Sequence, residues 1–191
     1  GSMIVDIGGG TTEVAVTSLG GIVLSTSLRI AGDELDDSIV SYIKKKYNIL
    51  IGEVTAEMLK KKIGSVHPGV DRGVMEIRGR NLLNGLPAII TVSSAEIREA
   101  MHEQVVHIIE AIRTTLENTP PELSSDIYDN GIMLSGGGAL LGGLDALVTH
   151  VTGIRATIAK APLDAVAIGI GHVIEGSSDS DAVQYRNRGS R

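Results

Sequence analysis

Residues 6–14 read DIGGGTTEV, three consecutive glycines between an apolar run that ends in an aspartate and a pair of threonines that opens a second apolar run. Glycine at Gly8, Gly9 and Gly10 removes three Cβ atoms from one turn, so the backbone can bend sharply and approach a ligand that side chains would exclude. Successive N–H groups in such a turn form a nest for an anion, and phosphate is its natural guest. Thr11 and Thr12 can add hydroxyl donors or orient a water. Asp6, acidic beside an anion site, makes sense chiefly when a divalent cation or its waters lie between the carboxylate and the guest. A plain glycine-rich hairpin turn accounts for GGG alone about as well.

A second stretch shifts that balance. Residues 135–143, SGGGALLGG, again follow an apolar strand-like run and precede a helical one, so two bare turns stand at strand ends in one chain. Neither is a Walker loop, because Gly-Lys-Ser/Thr occurs nowhere, and no Gly-x-Gly-x-x-Gly links a first strand to its helix. Gly169 and Gly171 lie within the last helical run and read as close helix packing. Ser135 lacks a Gly-x-Ser-x-Gly context and does not read as a nucleophile.

Outward from the first turn, residues 3–7, 12–17 and 22–30 read as strands, with Leu19, Gly20 and Gly21 as a tight link, which makes an antiparallel meander. From Asp33 the period changes to a helix through Leu35, Ile39, Ile43 and Tyr47, acidic at its start and carrying Lys44, Lys45 and Lys46 at its end, as the helix dipole favours. Thr55 is the expected cap of a short helix over 56–63 that stops at Gly64. MEIRG and LPAIITV read as two short strands of a side subdomain. Ser93 with Glu96 forms a capping box before a long helix whose face is Ile97, Met101, Val105, Ile108, Ile112 and Leu116. Pro120 and Pro121 end it. A helix from Glu122, a strand over 131–135, a helix through Leu147, a strand over 154–159 and a helix from Leu163 follow. The predicted organisation is an α/β lobe of residues 1–32 and 121–176, a smaller α+β subdomain inserted as 33–120, and a disordered tail at 177–191, which has little to bury.

Composition bounds the function. With 42% hydrophobic residues among 191, no Trp, no Phe and 2% aromatics, the core must be aliphatic. A formal net charge of -6 argues against a nucleic-acid partner, which needs clustered Lys and Arg. The absence of cysteine excludes disulfides and thiol chemistry and fits a reducing cytoplasm. No apolar run approaches the roughly 18 residues of a membrane span, and no signal peptide is recognised. His102, Glu103, His107 and Glu110 do not have the His-Glu-x-x-His spacing and read as surface or packing residues. The lysines at 44–46 and 60–62 read as solvated helix faces, Lys60 excepted for the reason that follows.

Five segments carry a resemblance: MIVDIGGGTTEVAV, RIAGDELDDSIVSYIKKKYN, GEVTAEMLKKKIGS, TPPELSSDI and GIMLSGGGALLGGLD. In order and spacing they are similar to the second half of the MreB and Mbl bacterial actins, within the actin, chaperone and sugar-kinase ATPase superfamily. The resemblance implies an actin-like ATPase lobe of the ribonuclease H type that binds ATP with Mg2+. It implies that residues 6–12 are the second phosphate loop, with Asp6, Thr11 and Thr12 at the chemistry, Gly8, Gly9, Gly10 and Thr11 on the phosphates, and Asp6 holding magnesium through water. Gly136, Gly137, Gly138, Ala139 and Leu140 would form the adenosine loop. Glu57, Met58, Leu59 and Lys60 would approach the ribose and adenine from the inserted subdomain, with Glu57 and Lys60 on one helix face toward Gly138. Gly32 and Asp33 would close the site near the hinge.

The family pattern also has a first phosphate loop of the type Asp-Leu-Gly-Thr-Ala and an acidic residue that positions the attacking water, and neither is found in this sequence. The expectation is therefore half of a clamp, begun in mid-protein: an ATPase in the complete protein, inactive in this half, and mainly monomeric. The resemblance further implies cytoplasmic filaments at the inner face of the membrane that guide cell-wall synthesis and rod shape. Self-association, a RodZ-like membrane adaptor and only indirect membrane contact for this half are the partners it implies. Two other readings stand beside it: a fragment of a superfamily phosphotransferase or polyphosphatase, and an adaptor-docking module without catalysis.

Overall fold

The first three strands are β1 (Ser2–Ile7), β2 (Thr12–Ser18) and β3 (Gly21–Leu28), and the first two bury every second residue. The computed structural model of the protein describes residues 1–176, so the tail expected at 177–191 lies outside the described residues. Met3, Val5, Ile7, Val14 and Val16 all point into the core, as a period of two on a half-buried strand requires. Leu19 and Gly20 take φ of 51° and 76°, the consecutive left-handed residues of a tight hairpin turn.

Further along, β7 (Ile132–Ser135) lies parallel to β1, and β8 (Ala156–Ile158) parallel to β7. The result is a five-stranded sheet in the order β3-β2-β1-β7-β8. A separate three-stranded sheet runs β4 (Ile49–Leu50), β5 (Val74–Asn81), β6 (Pro87–Ser93). Two residues are too few for strand β4 to show as a period, and the sequence reading missed it.

Helix α1 (Gly32–Tyr47) buries Leu35, Ile39 and Ile43 and closes at Asn48, whose φ of 55° lets its N–H reach the Lys44 carbonyl. Helix α2 (Glu53–Ile63) starts earlier than expected. The Gly52 carbonyl accepts the N–H groups of Thr55 and Ala56, so Thr55 sits inside the first turn and is not the cap. The end at Gly64 falls where expected, and a Cβ there would lie 2.1 Å from the Lys60 carbonyl oxygen.

Helix α3 (Ser94–Glu117) has both arms of its capping box, Ser93 N–H to Glu96 Oε2 at 2.8 Å and Glu96 N–H to Ser93 Oγ at 3.3 Å. Its buried face, Ile97, Met101, Val105, Ile108 and Ile112, packs on α1 and also on β2 and β3. Thr115 donates to Thr26 of β3 at 2.9 Å, so this helix, read from the sequence as part of the inserted subdomain, also lies against the larger sheet.

Helices α4 (Pro121–Asn130), α5 (Leu144–Thr152) and α6 (Ala165–Gly176) complete the described chain. A Cβ on Gly169 or Gly171 of α6 would meet nothing within 4 Å, which corrects the expectation of close packing there. Val166, Ile168, Ile170 and Val173 of α6 are exposed. The hydrophobic core contains only Ile, Val, Leu, Met and Ala among its buried residues, as a chain without Phe or Trp must.

Candidate functional site

Strands β1 and β7 are parallel neighbours with Asp6 opposite Ser135. The chain therefore leaves both strands at the same edge of the sheet, and the two glycine turns meet there. A Cβ on Gly136 would lie 2.3 Å from the Ile7 carbonyl oxygen, and one on Gly138 would lie 2.2 Å from Ile7 Cγ2. The second turn thus packs directly on the residue that precedes Gly8. The carboxyl ends of adjacent parallel strands are where open α/β sheets hold their ligands.

The start of α1 forms the next wall. Gly32 N–H donates to the Gly8 carbonyl at 3.1 Å and Asp33 N–H to the Gly9 carbonyl at 2.8 Å, while Gly8 N–H closes its own turn on Thr11 O at 2.9 Å. Gly9 and Gly10 are exposed, and among the described residues no acceptor meets their N–H groups. A Cβ on Gly9 would come within 3.7 Å of Asp33 Oδ1, so the Asp33 carboxylate overlooks the turn. Asp6 Oδ1 is buried with no donor among the described residues. An orphaned carboxylate oxygen is costly, and its place beside an anion nest fits a hydrated cation.

Several expected site residues fall elsewhere. Thr11 is exposed at the turn, but Thr12 is fully buried and its hydroxyl donates to the Ile30 carbonyl at 2.7 Å. It shares the inward face of β2 with Val14 and Val16, so its proton is not available at the turn. Leu59 and Ala139 are fully buried core residues and Met58 packs against that core, whereas Leu140 is 48% exposed.

Glu57 and Lys60 do not act as a pair. Glu57 bonds Lys61 at 2.5 Å on the surface of α2. Lys60 turns into α1, where its ammonium donates to the Gly32 carbonyl at 2.6 Å and to Asp36 Oδ2 at 2.8 Å. Asp36 explains the difference. Burial pushes its carboxyl above the ordinary range, against the hydrogen bond and charge of Lys60, and such a group needs a cation beside it. Sequence reading missed Asp36, although an acidic residue beside buried Leu35, one turn before buried Ile39, is a signal of this kind. Beyond α2, Ser65 bridges Gly142 and Val66 N–H donates to the Gly142 carbonyl at 2.8 Å, so the segment after α2 is fastened to the chain that follows the second glycine turn. No metal-binding cluster of His, Asp and Glu forms among the described residues, so His102, Glu103, His107 and Glu110 make none.

Residues 1–182 match the MreB/Mbl protein family. The chain belongs to the MreB/Mbl family. It is 51% identical over 175 residues to the cell shape-determining protein Mbl of Bacillus cereus, covering 92% of this chain and 53% of that one. MreB5 of Spiroplasma citri bound to ADP superposes with a TM-score of 0.88 at 40% identity, over 94% of this chain and 56% of that one. The same protein bound to AMPPNP gives 0.84 at 41% identity, over 93% and 55%. The MamK double helical filament gives 0.76 at 25% identity, over 91% and 54%. The fold is actin-like, and the chain spans about half the length of the relatives it matches. No helix among the described residues is long and apolar enough to cross a membrane.

Proposed function

We propose that this MreB/Mbl chain supplies one wall of an ATP site, and that the complete protein forms nucleotide-dependent filaments that set cell shape. The observation that carries the reading is the meeting of two glycine turns at the carboxyl ends of parallel β1 and β7, beside an orphaned oxygen of Asp6. That MreB5 is bound to ADP and to AMPPNP, and that MamK forms a double helical filament, supports it.

In this reading the N–H groups of Gly9 and Gly10, with Thr11, hold phosphate oxygens. Gly32 and Asp33 seat the loop, and Gly136, Gly137, Gly138 and the exposed Leu140 face the adenosine. Asp6 would hold the waters of a magnesium ion, which when bound neutralises phosphate charge. Exposed Val166, Ile168, Ile170 and Val173 of α6 are what a lobe with a missing neighbour would show. A one-walled site leaves the phosphates in water, where contacts are weak. Phosphoryl transfer needs donors on several sides, and loss of one commonly costs about 100-fold or more.

Titration calorimetry with Mg-ATP on the 191-residue chain, with a phosphate-release assay beside it, tests this. Weak binding without turnover is expected. Tight binding with steady turnover would overturn the half-clamp, and no binding at millimolar Mg-ATP would overturn the nucleotide site. Phosphate release with a panel of sugars separates the phosphotransferase reading. Docking of a RodZ-like adaptor, at the inner face of the membrane, belongs to the same proposal and is tested by pull-down with the adaptor's cytoplasmic domain.

A further inference from the structure

We propose that Lys60 and Asp36 are positioning residues: the Lys60 ammonium fixes the first glycine turn through the peptide groups of Gly32 and Asp33, and helix α2 thereby sets the spacing of the two glycine turns. The inference rests on the nucleotide reading for its consequence and on hydrogen bonds for its mechanism. Lys60 Nζ holds the Gly32 carbonyl at 2.6 Å. The N–H of the same residue holds the Gly8 carbonyl at 3.1 Å, and the next N–H holds the Gly9 carbonyl at 2.8 Å. There is little slack, since a Cβ on Gly32 would lie 3.2 Å from Gly8 O and 3.4 Å from Gly9 Cα.

A cation at the start of a helix opposes the helix dipole. Asp36, one turn into α1, supplies the compensating charge at 2.8 Å, and the Lys60 and Asp36 side chains are only 12% and 13% exposed. Two of the three ammonium protons therefore serve α1. Just past the same end of α2, one turn beyond Lys60, Gly64 and Val66 are bonded to Gly142, which follows the second glycine turn. One helix thus touches the supports of both turns. Removing Lys60 should loosen the first turn and strand Asp36, whose other oxygen already lacks a donor.

The test uses Lys60→Met, Lys60→Arg and the double variant Lys60→Met with Asp36→Asn. Amide hydrogen exchange of Gly32 and Asp33 is measured without nucleotide, and Mg-ADP affinity by calorimetry. Lys60→Met should speed exchange at both amides about tenfold, leave Val16 unchanged, which pairs with Met3 four residues along β2 from the first turn, and weaken Mg-ADP by a similar factor. Lys60→Arg should restore most of both. The double variant, which leaves no charge buried alone, should fold at least as well as Lys60→Met and carries the test if that variant does not fold. Unchanged exchange at Gly32 and Asp33 would overturn the proposal, and unchanged exchange with lost affinity would make Lys60 a direct nucleotide contact instead. A wild-type chain that fails to bind Mg-ADP would sink the nucleotide reading while the exchange result still decides the strut.

Discussion

Gly9 and Gly136 are both glycines of a bare turn, yet they answer different demands. At Gly9 the backbone is exposed and a Cβ would meet only the Asp33 carboxylate, at 3.7 and 3.9 Å, so Gly9→Ala should leave the melting temperature nearly unchanged while weakening Mg-ADP binding. At Gly136 φ is +77° and a Cβ would lie 2.3 Å from the Ile7 carbonyl oxygen. Gly136→Ala should therefore cost about 2–4 kcal/mol of stability in denaturant unfolding. Thr12→Val separates structure from binding: it leaves the Ile30 carbonyl without its 2.7 Å donor and should cost about 1–2 kcal/mol, with Mg-ADP affinity unaltered. A drop in affinity at constant stability would show that Thr12 reaches the ligand after all. Glycine spacing made the turns legible in the sequence. Which threonine of the pair faces inward depends on the phase of β2, and Val14 and Val16 decide that only once the sheet has a buried side.

At the scale of elements, the brace between α1 and α3 makes one contribution to stability that depends on acid pH. Burial opposes ionisation of Glu96, but hydrogen bonds from Tyr47, Lys46 and Ser93 outweigh it and hold the carboxyl at about 2. Lys46 lies 2.9 Å from it, and the Glu96 side chain is 16% exposed. The sign follows from linkage. A carboxyl whose folded value is depressed below 4.5 contributes stability above 4.5 that is lost as the pH falls toward 2. After allowance for screening this is about 1–2 kcal/mol. Glu96→Gln should lower stability at neutral pH and flatten the loss between pH 4.5 and pH 2 in urea titrations; an unchanged acid limb would show that the brace contributes nothing. The capping half of this network, Ser93 with Glu96, was legible because the motif is local. Its link to Lys46 and Tyr47 joins residues half a hundred apart in sequence and appears only when α1 and α3 pack.

At the scale of the whole molecule, α6 presents Val166, Ile168, Ile170 and Val173 to solvent. Ile170→Lys should leave unfolding stability within about 0.5 kcal/mol and raise the concentration at which the chain stays in solution; a large loss of stability would mean that α6 is covered in this chain. Sedimentation should show mainly monomer with Mg-ATP, and nucleotide-dependent filaments would refute the half-clamp. The sequence by itself determined the aliphatic core, the first hairpin, the capping box of α3 and the two glycine turns, because each follows from the chemistry of residues a few positions apart. It also determined the family, since five spaced segments carry that resemblance. Only the tertiary structure decided that the turns share one edge, that α3 lies against the larger sheet as well as α1, and that Leu59 and Ala139 are core. The same holds for Lys60, which bonds Asp36 and Gly32. A buried charge takes the nearest counter-charge that packing brings to it, and which residue that is depends on how α1 and α2 lie together in space.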